Sequence, residues 1–106
     1  MNAIISVSDK TTVLDLAQFL TSNNFTIYST GGTYTHIKNN LPECNLMKIS
    51  SLTKFPEILN GRVKTLSPHI YGGILADPSD DDHLKDMTDH NLPFFDVVVV
   101  NLYPFE

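Results

Sequence analysis

The chain has 106 residues, seven of them basic and twelve acidic, for a net charge of −5 with neutral histidines. That length holds one domain around one core, and the acidic balance argues against broad nucleic-acid binding. A hydrophobic fraction of 42% excludes a disordered chain, and no apolar run reaches the length of a bilayer span.

Residues Met1–Ser8 have neither a basic segment nor a long apolar one, so no signal peptide is expected and the expected location is cytoplasmic. Cys44 is the only cysteine, which excludes an internal disulfide and a thiolate metal cluster and leaves a buried or bystander thiol. Eight of the twelve acids lie in the last thirty residues, whereas Lys10, Arg62 and Lys64 sit in short segments containing glycine, serine or threonine. That layout suits a small anionic ligand better than a polyanion.

Ala3 to Val7 is a short β-rich run and reads as a buried strand. Val13, Leu16, Ala17 and Leu20 then recur at helical spacing, with Ser8 or Asp9 as the expected N-cap and Asn23-Asn24 as the stop. Phe25 to Ser29 is a second strand. Gly31-Gly32 breaks it, and Thr33 is placed to cap a short helix ending near Asn39-Asn40. Cys44 to Ile49 is a weaker third strand, and Phe55 to Leu59 predicts one helical turn opened by Pro56. Residues 61 to 75 show no clear period and read as a structured loop with short extended pieces. Ser79 is the expected cap of a helix whose first turn is Asp80-Asp81-Asp82, with Leu84 and Met87 as its apolar side and Asn91 and Pro93 at its end. Phe95 to Val100 suits a strand buried in a parallel sheet. The alternation predicts an α/β chain with a mostly parallel sheet and helices on both faces, whose ligands bind at the carboxyl ends of the strands.

Four segments then become candidates. Ser8-Asp9-Lys10-Thr11 offers hydroxyls, a cation and the amides of a helix start, all suited to a phosphate, or else it is an ordinary cap. In Ser29-Thr30-Gly31-Gly32-Thr33 the glycines let backbone approach an anion; the alternative is a tight turn with positive φ. In Asn60-Gly61-Arg62-Val63-Lys64-Thr65 alternation puts Arg62 and Lys64 on one side, where an anion would relieve their repulsion; the alternative is a solvated basic edge. Asn101 and Tyr103 follow the last strand, where an amide and a phenol can hydrogen-bond a heterocycle or move a proton, or simply form a turn. His36, His69, His83 and His90 have no tight metal-ligand spacing, and the Asp80–Asp82 run lacks the alternation of an EF-hand, so no metal site is expected.

Taken in order, Ser6-Val7-Ser8-Asp9-Lys10-Thr11, Ser29-Thr30-Gly31-Gly32-Thr33, Phe55-Pro56-Glu57 with Gly61-Arg62-Val63-Lys64-Thr65-Leu66, Gly72-Gly73-Ile74-Leu75 and Asn101-Leu102-Tyr103-Pro104-Phe105 resemble one family. It is the N-terminal, inosine monophosphate (IMP) cyclohydrolase domain of the bifunctional AICAR formyltransferase/IMP cyclohydrolases. The resemblance runs from residue 3 to the last residue. It implies a methylglyoxal-synthase-like three-layer α/β/α sandwich, with residues 1–106 as a single domain truncated at its C-terminus.

It also implies ring closure of formylated AICAR to IMP with loss of water, in de novo purine biosynthesis, with no metal or redox cofactor. A folate would belong to the formyltransferase domain, which this sequence lacks. The implied partner is a purine nucleotide, with neither nucleic acid nor membrane, and the family's usual assembly is a homodimer.

Carried over residue by residue, the resemblance implies that Ser8, Asp9 and Lys10 form a first substrate-binding loop and Thr30, Gly31, Gly32 and Thr33 a second. Arg62, Val63, Lys64 and Thr65 form a third, and Val100 and Asn101 a fourth. The early loops would hold the 5′-phosphate, and Lys64 would polarise or protonate the reacting oxygen beside Tyr103. The family pattern is broken at Ser67 and Tyr71, where it has histidines, and at Thr12, where it has glycine. Its later aspartate and catalytic lysine lie past the last residue of this sequence. A second reading is a purine-nucleotide or phosphometabolite-binding module of the same fold without catalysis. Methylglyoxal synthase shares the fold, but the Arg62–Thr65 and Asn101–Phe105 segments point away from it.

Overall fold

The computed structural model describes residues 1–7, 10–56, 58–59, 65 and 67–100. Their elements run β1 (Asn2–Ser6), α1 (Val13–Ser22), β2 (Thr26–Ser29), α2 (Gly31–Asn40), β3 (Leu46–Lys48), α3 (Ile49–Thr53), α4 (Pro68–Leu75), α5 (Asp81–Asp89) and β4 (Val97–Val100). The four strands form one sheet in the order β3-β2-β1-β4, and every pair is parallel. The expected parallel α/β sheet is what the chain builds.

Strand alternation sorts the side chains of the sheet into two cores. Ala3, Ile5 and Ile27 face one way and bury Val13, Ala17 and Leu20 of α1 and Ile37 of α2, with Cys44 in the same cluster. The spacing of Val13, Ala17 and Leu20 is that of one helical stripe, which is why α1 packs flat on the sheet. Ile4 and Tyr28 face the other way, against Ile49 and Leu52 of α3, Ile70 of α4, and Phe95. The Tyr28 and Phe95 rings meet edge to face, with centroids 5.6 Å apart. Helices on both faces complete the three-layer sandwich.

Several boundaries differ from the sequence expectation. Helix α1 starts at Val13 with Thr12 as its N-cap, not Ser8 or Asp9, which lie outside the described residues. Thr33 does not cap α2 but sits inside its first turn, because Thr30 is the extended residue ahead of Gly31. The turn expected over Phe55–Leu59 is instead α3, which begins at Ile49 directly after β3 and stops at Lys54 in the left-handed conformation, φ 59°. Pro56 therefore follows a helix and does not open one.

Residues 68–75, read as loop, are α4, with Pro68 in its first turn. Its Gly72 and Gly73 hid the helical pattern, and tertiary packing explains them. A Cβ on Gly73 would run into the Pro93 carbonyl and lie 2.6 Å from the Phe95 ring, and one on Gly72 would lie 2.9 Å from a Leu92 methyl. Helix α5 is capped by Asp80, not Ser79: its carboxylate accepts from the amides of Asp82 (2.9 Å) and His83 (3.3 Å). Met87 is its buried residue, whereas Leu84 stays partly exposed. Strand β4 is an edge strand, so Val98 and Val100 remain 45% and 65% exposed despite their all-apolar run. No helix among the described residues is long and apolar enough to cross a membrane.

Candidate functional site

All four strands run parallel, so their carboxyl ends share one edge. The register aligns them closely. Ser6 pairs with Val100, Ile5 with Ser29, and Ser29 with Lys48. Loops leaving these ends must start side by side, which is the arrangement expected for ligand sites of such sheets.

The first two candidate loops meet there through side-chain bonds. The Thr33 hydroxyl donates to the Val7 carbonyl at 3.2 Å and accepts from the Val7 amide at 3.4 Å. The Thr30 hydroxyl donates to Ser6 Oγ at 3.4 Å. Lys10 Nζ donates to the Val7 carbonyl at 3.0 Å, which folds the lysine back over the end of β1. Its Cε and Nζ would both lie 3.8 Å from a Cβ built on Gly32. A cation thus rests over the first turn of α2, where amide hydrogens and the helix dipole present partial positive charge.

Gly32 is helical and its φ is not in the left-handed region, so the alternative of a strained turn does not hold there. A Cβ there would make only an ordinary van der Waals contact with the Lys10 side chain, so the space beneath the ammonium does not require glycine. Ser29, Thr30 and Thr33 are buried, so this edge of the sheet is polar inside as well as at its surface.

Of the sequence-predicted site residues, Lys10, Thr30, Gly31, Gly32 and Thr33 come together, and Val100 stands beside Ser6 in the sheet. Thr65 is half-buried ahead of α4 and makes no hydrogen bond among the described residues. Ser8, Asp9, Arg62, Val63, Lys64, Asn101 and Tyr103 lie outside the described residues. Sequence reasoning passed over Lys48, and it quoted Ser6 and Ser29 within motifs without giving either a role. The signal available was the register: each ends a strand at the same edge, but only the pairing of β1, β2 and β3 reveals it.

Ser67 and Tyr71, where the resemblance would place histidines, stand at the N-cap and in the middle of α4. Ser67 caps α4, accepting from the His69 amide at 3.2 Å, with its hydroxyl 3.5 Å from His69 Nδ1. Tyr71 points outward at 41% exposure, beside a shallow apolar groove between α4 and α5. No group of three or more His, Cys, Asp or Glu side chains among the described residues is arranged to hold a metal ion.

Comparison with known proteins agrees with this architecture. The family model described as MGS-like domain matches residues 12–106. The chain belongs to the MGS-like domain family. This MGS-like domain is 51% identical over 104 residues to the bifunctional purine biosynthesis protein PurH of Macrococcus caseolyticus (strain JCSC5402), covering 98% of the chain and 21% of that protein. Against the protein of the same name from Clostridium botulinum (strain Loch Maree / Type A3) it is 52% identical over 103 residues, 97% of the chain and 20% of the relative. The PurH of Fusobacterium nucleatum subsp. nucleatum is 50% identical over the same shares. The chain thus spans about a fifth of the length of the curated relatives it matches. Among solved structures, the crystal structure of ForH superposes with a TM-score of 0.86 at 33% identity, over all of this chain and 54% of that one.

Proposed function

We propose that this MGS-like domain is the IMP cyclohydrolase part of a bifunctional purine biosynthesis protein. It would close formylated AICAR to IMP by attack of the carboxamide nitrogen on the formyl carbon, followed by loss of water. The observation that carries this reading is the Lys10 ammonium lying over Gly32 at the start of α2, on a sheet edge where Thr30 and Thr33 bind the end of β1. That arrangement suits a phosphate anchor, and the level of identity to three PurH proteins supports the same assignment.

The reaction is intramolecular, so the protein's main task is to hold one conformer of the nucleotide, and anchoring its 5′-phosphate far from the reacting atoms does this. Lys10 and the α2 amides are assigned that anchor, together with Ser8 and Asp9. Arg62, Val63, Lys64 and Thr65 are assigned to the base and its substituents, with Val100 and Asn101 alongside. Lys64 polarises or protonates the formyl oxygen as charge develops on it, and Tyr103 assists the proton transfer. Ring closure needs no cofactor in this scheme. The location proposed is the cytoplasm, and the assembly a homodimer.

The test is direct. The chain is incubated with formylated AICAR and IMP formation is followed. Lys64→Ala is expected to slow ring closure by about 10²-fold or more with an unchanged melting temperature. Near-normal turnover of the variant removes Lys64 from the mechanism.

One observation favours the second reading, a nucleotide-binding module without catalysis: Ser67 stands where the family has histidine and spends its hydroxyl on capping α4. Stabilisation by IMP without turnover would select that reading.

A further inference from the structure

Helix α4 turns an apolar stripe outward. Pro68, Tyr71 and Leu75 follow one another at i, i+3 and i+7, so they share a face. Tyr71 and Leu75 are 41% and 75% exposed. The stripe forms one wall of a groove of about 310 Å³, with Met87 and Leu92 across from it. Gly72 allows that close approach, because a Cβ there would lie 2.9 Å from a Leu92 methyl and 3.6 Å from Met87 Sδ. The other wall is acidic. Asp86 lines the groove, and Asp82, Asp86 and Asp89 stand at i, i+4 and i+7 along one edge of α5. All three are exposed, and none forms an ion pair with a described residue. Helix α4 carries no lysine, arginine or acid. His83 lines the groove too, but its Nδ1 accepts from the Asp77 amide at 2.9 Å, which requires the neutral ring.

We infer that this groove docks a basic amphipathic helix of another polypeptide. The helix sets apolar residues at i, i+3 or i+4 and i+7 against Tyr71 and Leu75, and a row of lysines or arginines against Asp82, Asp86 and Asp89. Charge decides the occupant. A second copy of the same groove brings no lysine or arginine to these carboxylates, because its lining has none. An anionic lipid surface is repelled by the same acidic row. Pro68 to Leu75 spans about 10 Å of α4, so the partner contributes a few turns and the contact belongs to the small, transient class. Helix-in-groove recognition has these parts: apolar anchors at helical spacing, and rim charges that fix orientation. The inference stands on this groove alone and is independent of ring closure.

The experiment titrates the full chain into a fluorescein-labelled synthetic helix that has leucine at i, i+3, i+4 and i+7, lysine along one flank and alanine elsewhere. Anisotropy reads the binding, and NMR of the backbone amides reads its place. A saturable event that shifts Tyr71, Leu75 and Asp86 is expected. The same helix with glutamate for lysine should bind at least about tenfold more weakly. Leu75→Ser should weaken binding by about tenfold, the loss of one apolar anchor. Asp86→Asn should weaken it by about threefold, the loss of an exposed charge pair. Both residues are exposed, so both variants should melt with the parent chain. Phe19→Ser removes an exposed apolar side chain from α1 and should change nothing. The inference is overturned if the leucine–lysine helix moves none of these amides, or if the glutamate helix binds as tightly. It is also overturned if Leu75→Ser turns a self-associated parent chain into a monomer, because a second copy would then be the occupant.

Discussion

Single atoms decide much of how α4 sits. Gly73 lies where the Pro93 carbonyl and the Phe95 ring approach its backbone, and no side chain fits between them. Gly73→Ala is therefore expected to destabilise the chain by about 1–3 kcal/mol, the usual cost of overpacking. Urea unfolding would register it as a lower midpoint with an unchanged slope. Asp77 is a second single-residue case. The Ser79 hydroxyl donates to its carboxylate at 2.7 Å and the Ser79 amide at 2.9 Å, and these bonds hold its pKa below the ordinary 3.8, with a smaller contribution from His83. A depressed carboxyl pKa contributes stability above its unfolded value and loses it as pH falls through the folded one. The effect thus belongs to the acid limb, below pH 3.8. Because Asp77 is exposed, the expected signature is local: the Ser79 amide resonance should titrate with this depressed pKa, and Asp77→Asn should abolish that titration.

Elements are limited by their ends. Helices α4 and α5 are closed at their N-termini by Ser67 and Asp80, both short oxygen-bearing side chains that accept from amides of the first turn. The end of α3 is less favourable, because Lys54 occupies the left-handed conformation, a position natural for glycine. Lys54→Gly should raise stability by up to about 1 kcal/mol, the strain relieved exceeding the added freedom of the unfolded chain. Thermal unfolding would show it as an increase of a few degrees, and no increase would mean that Lys54 is unstrained. The same scale explains which helices could be read in advance. Val13, Ala17 and Leu20 form one uninterrupted stripe, and the acidic start of α5 suits a helix dipole. Helix α4 escaped notice because two adjacent glycines weaken any helical pattern, and their reason is a contact with residues twenty positions downstream.

In the whole molecule, the sheet separates two cores that share strands but not helices. Ile37 under α2 and Ile70 under α4 are both fully buried, on opposite faces. Ile37→Val and Ile70→Val should each cost about 0.5–1.5 kcal/mol, and the double variant should equal their sum within about 0.5 kcal/mol. A larger departure in equilibrium unfolding would show that the two layers communicate through the sheet. The edge position of β4 belongs to this scale too. Four consecutive valines predict a strand covered on both faces, yet only Val97 and Val99 pack against a core, while Val98 and Val100 on the opposite face of this edge strand stay exposed.

The four strands, the parallel sheet and helices α1, α2 and α5 were legible in the chain itself, because hydrophobic period and glycine placement are local signals. The pairing register was not. Lys48 and Ser29 read separately as the end of a weak strand and the start of a glycine turn, and their juxtaposition exists only once β2 and β3 lie side by side. Which residues face one another across strands depends on contacts distant in sequence, and no local propensity encodes them.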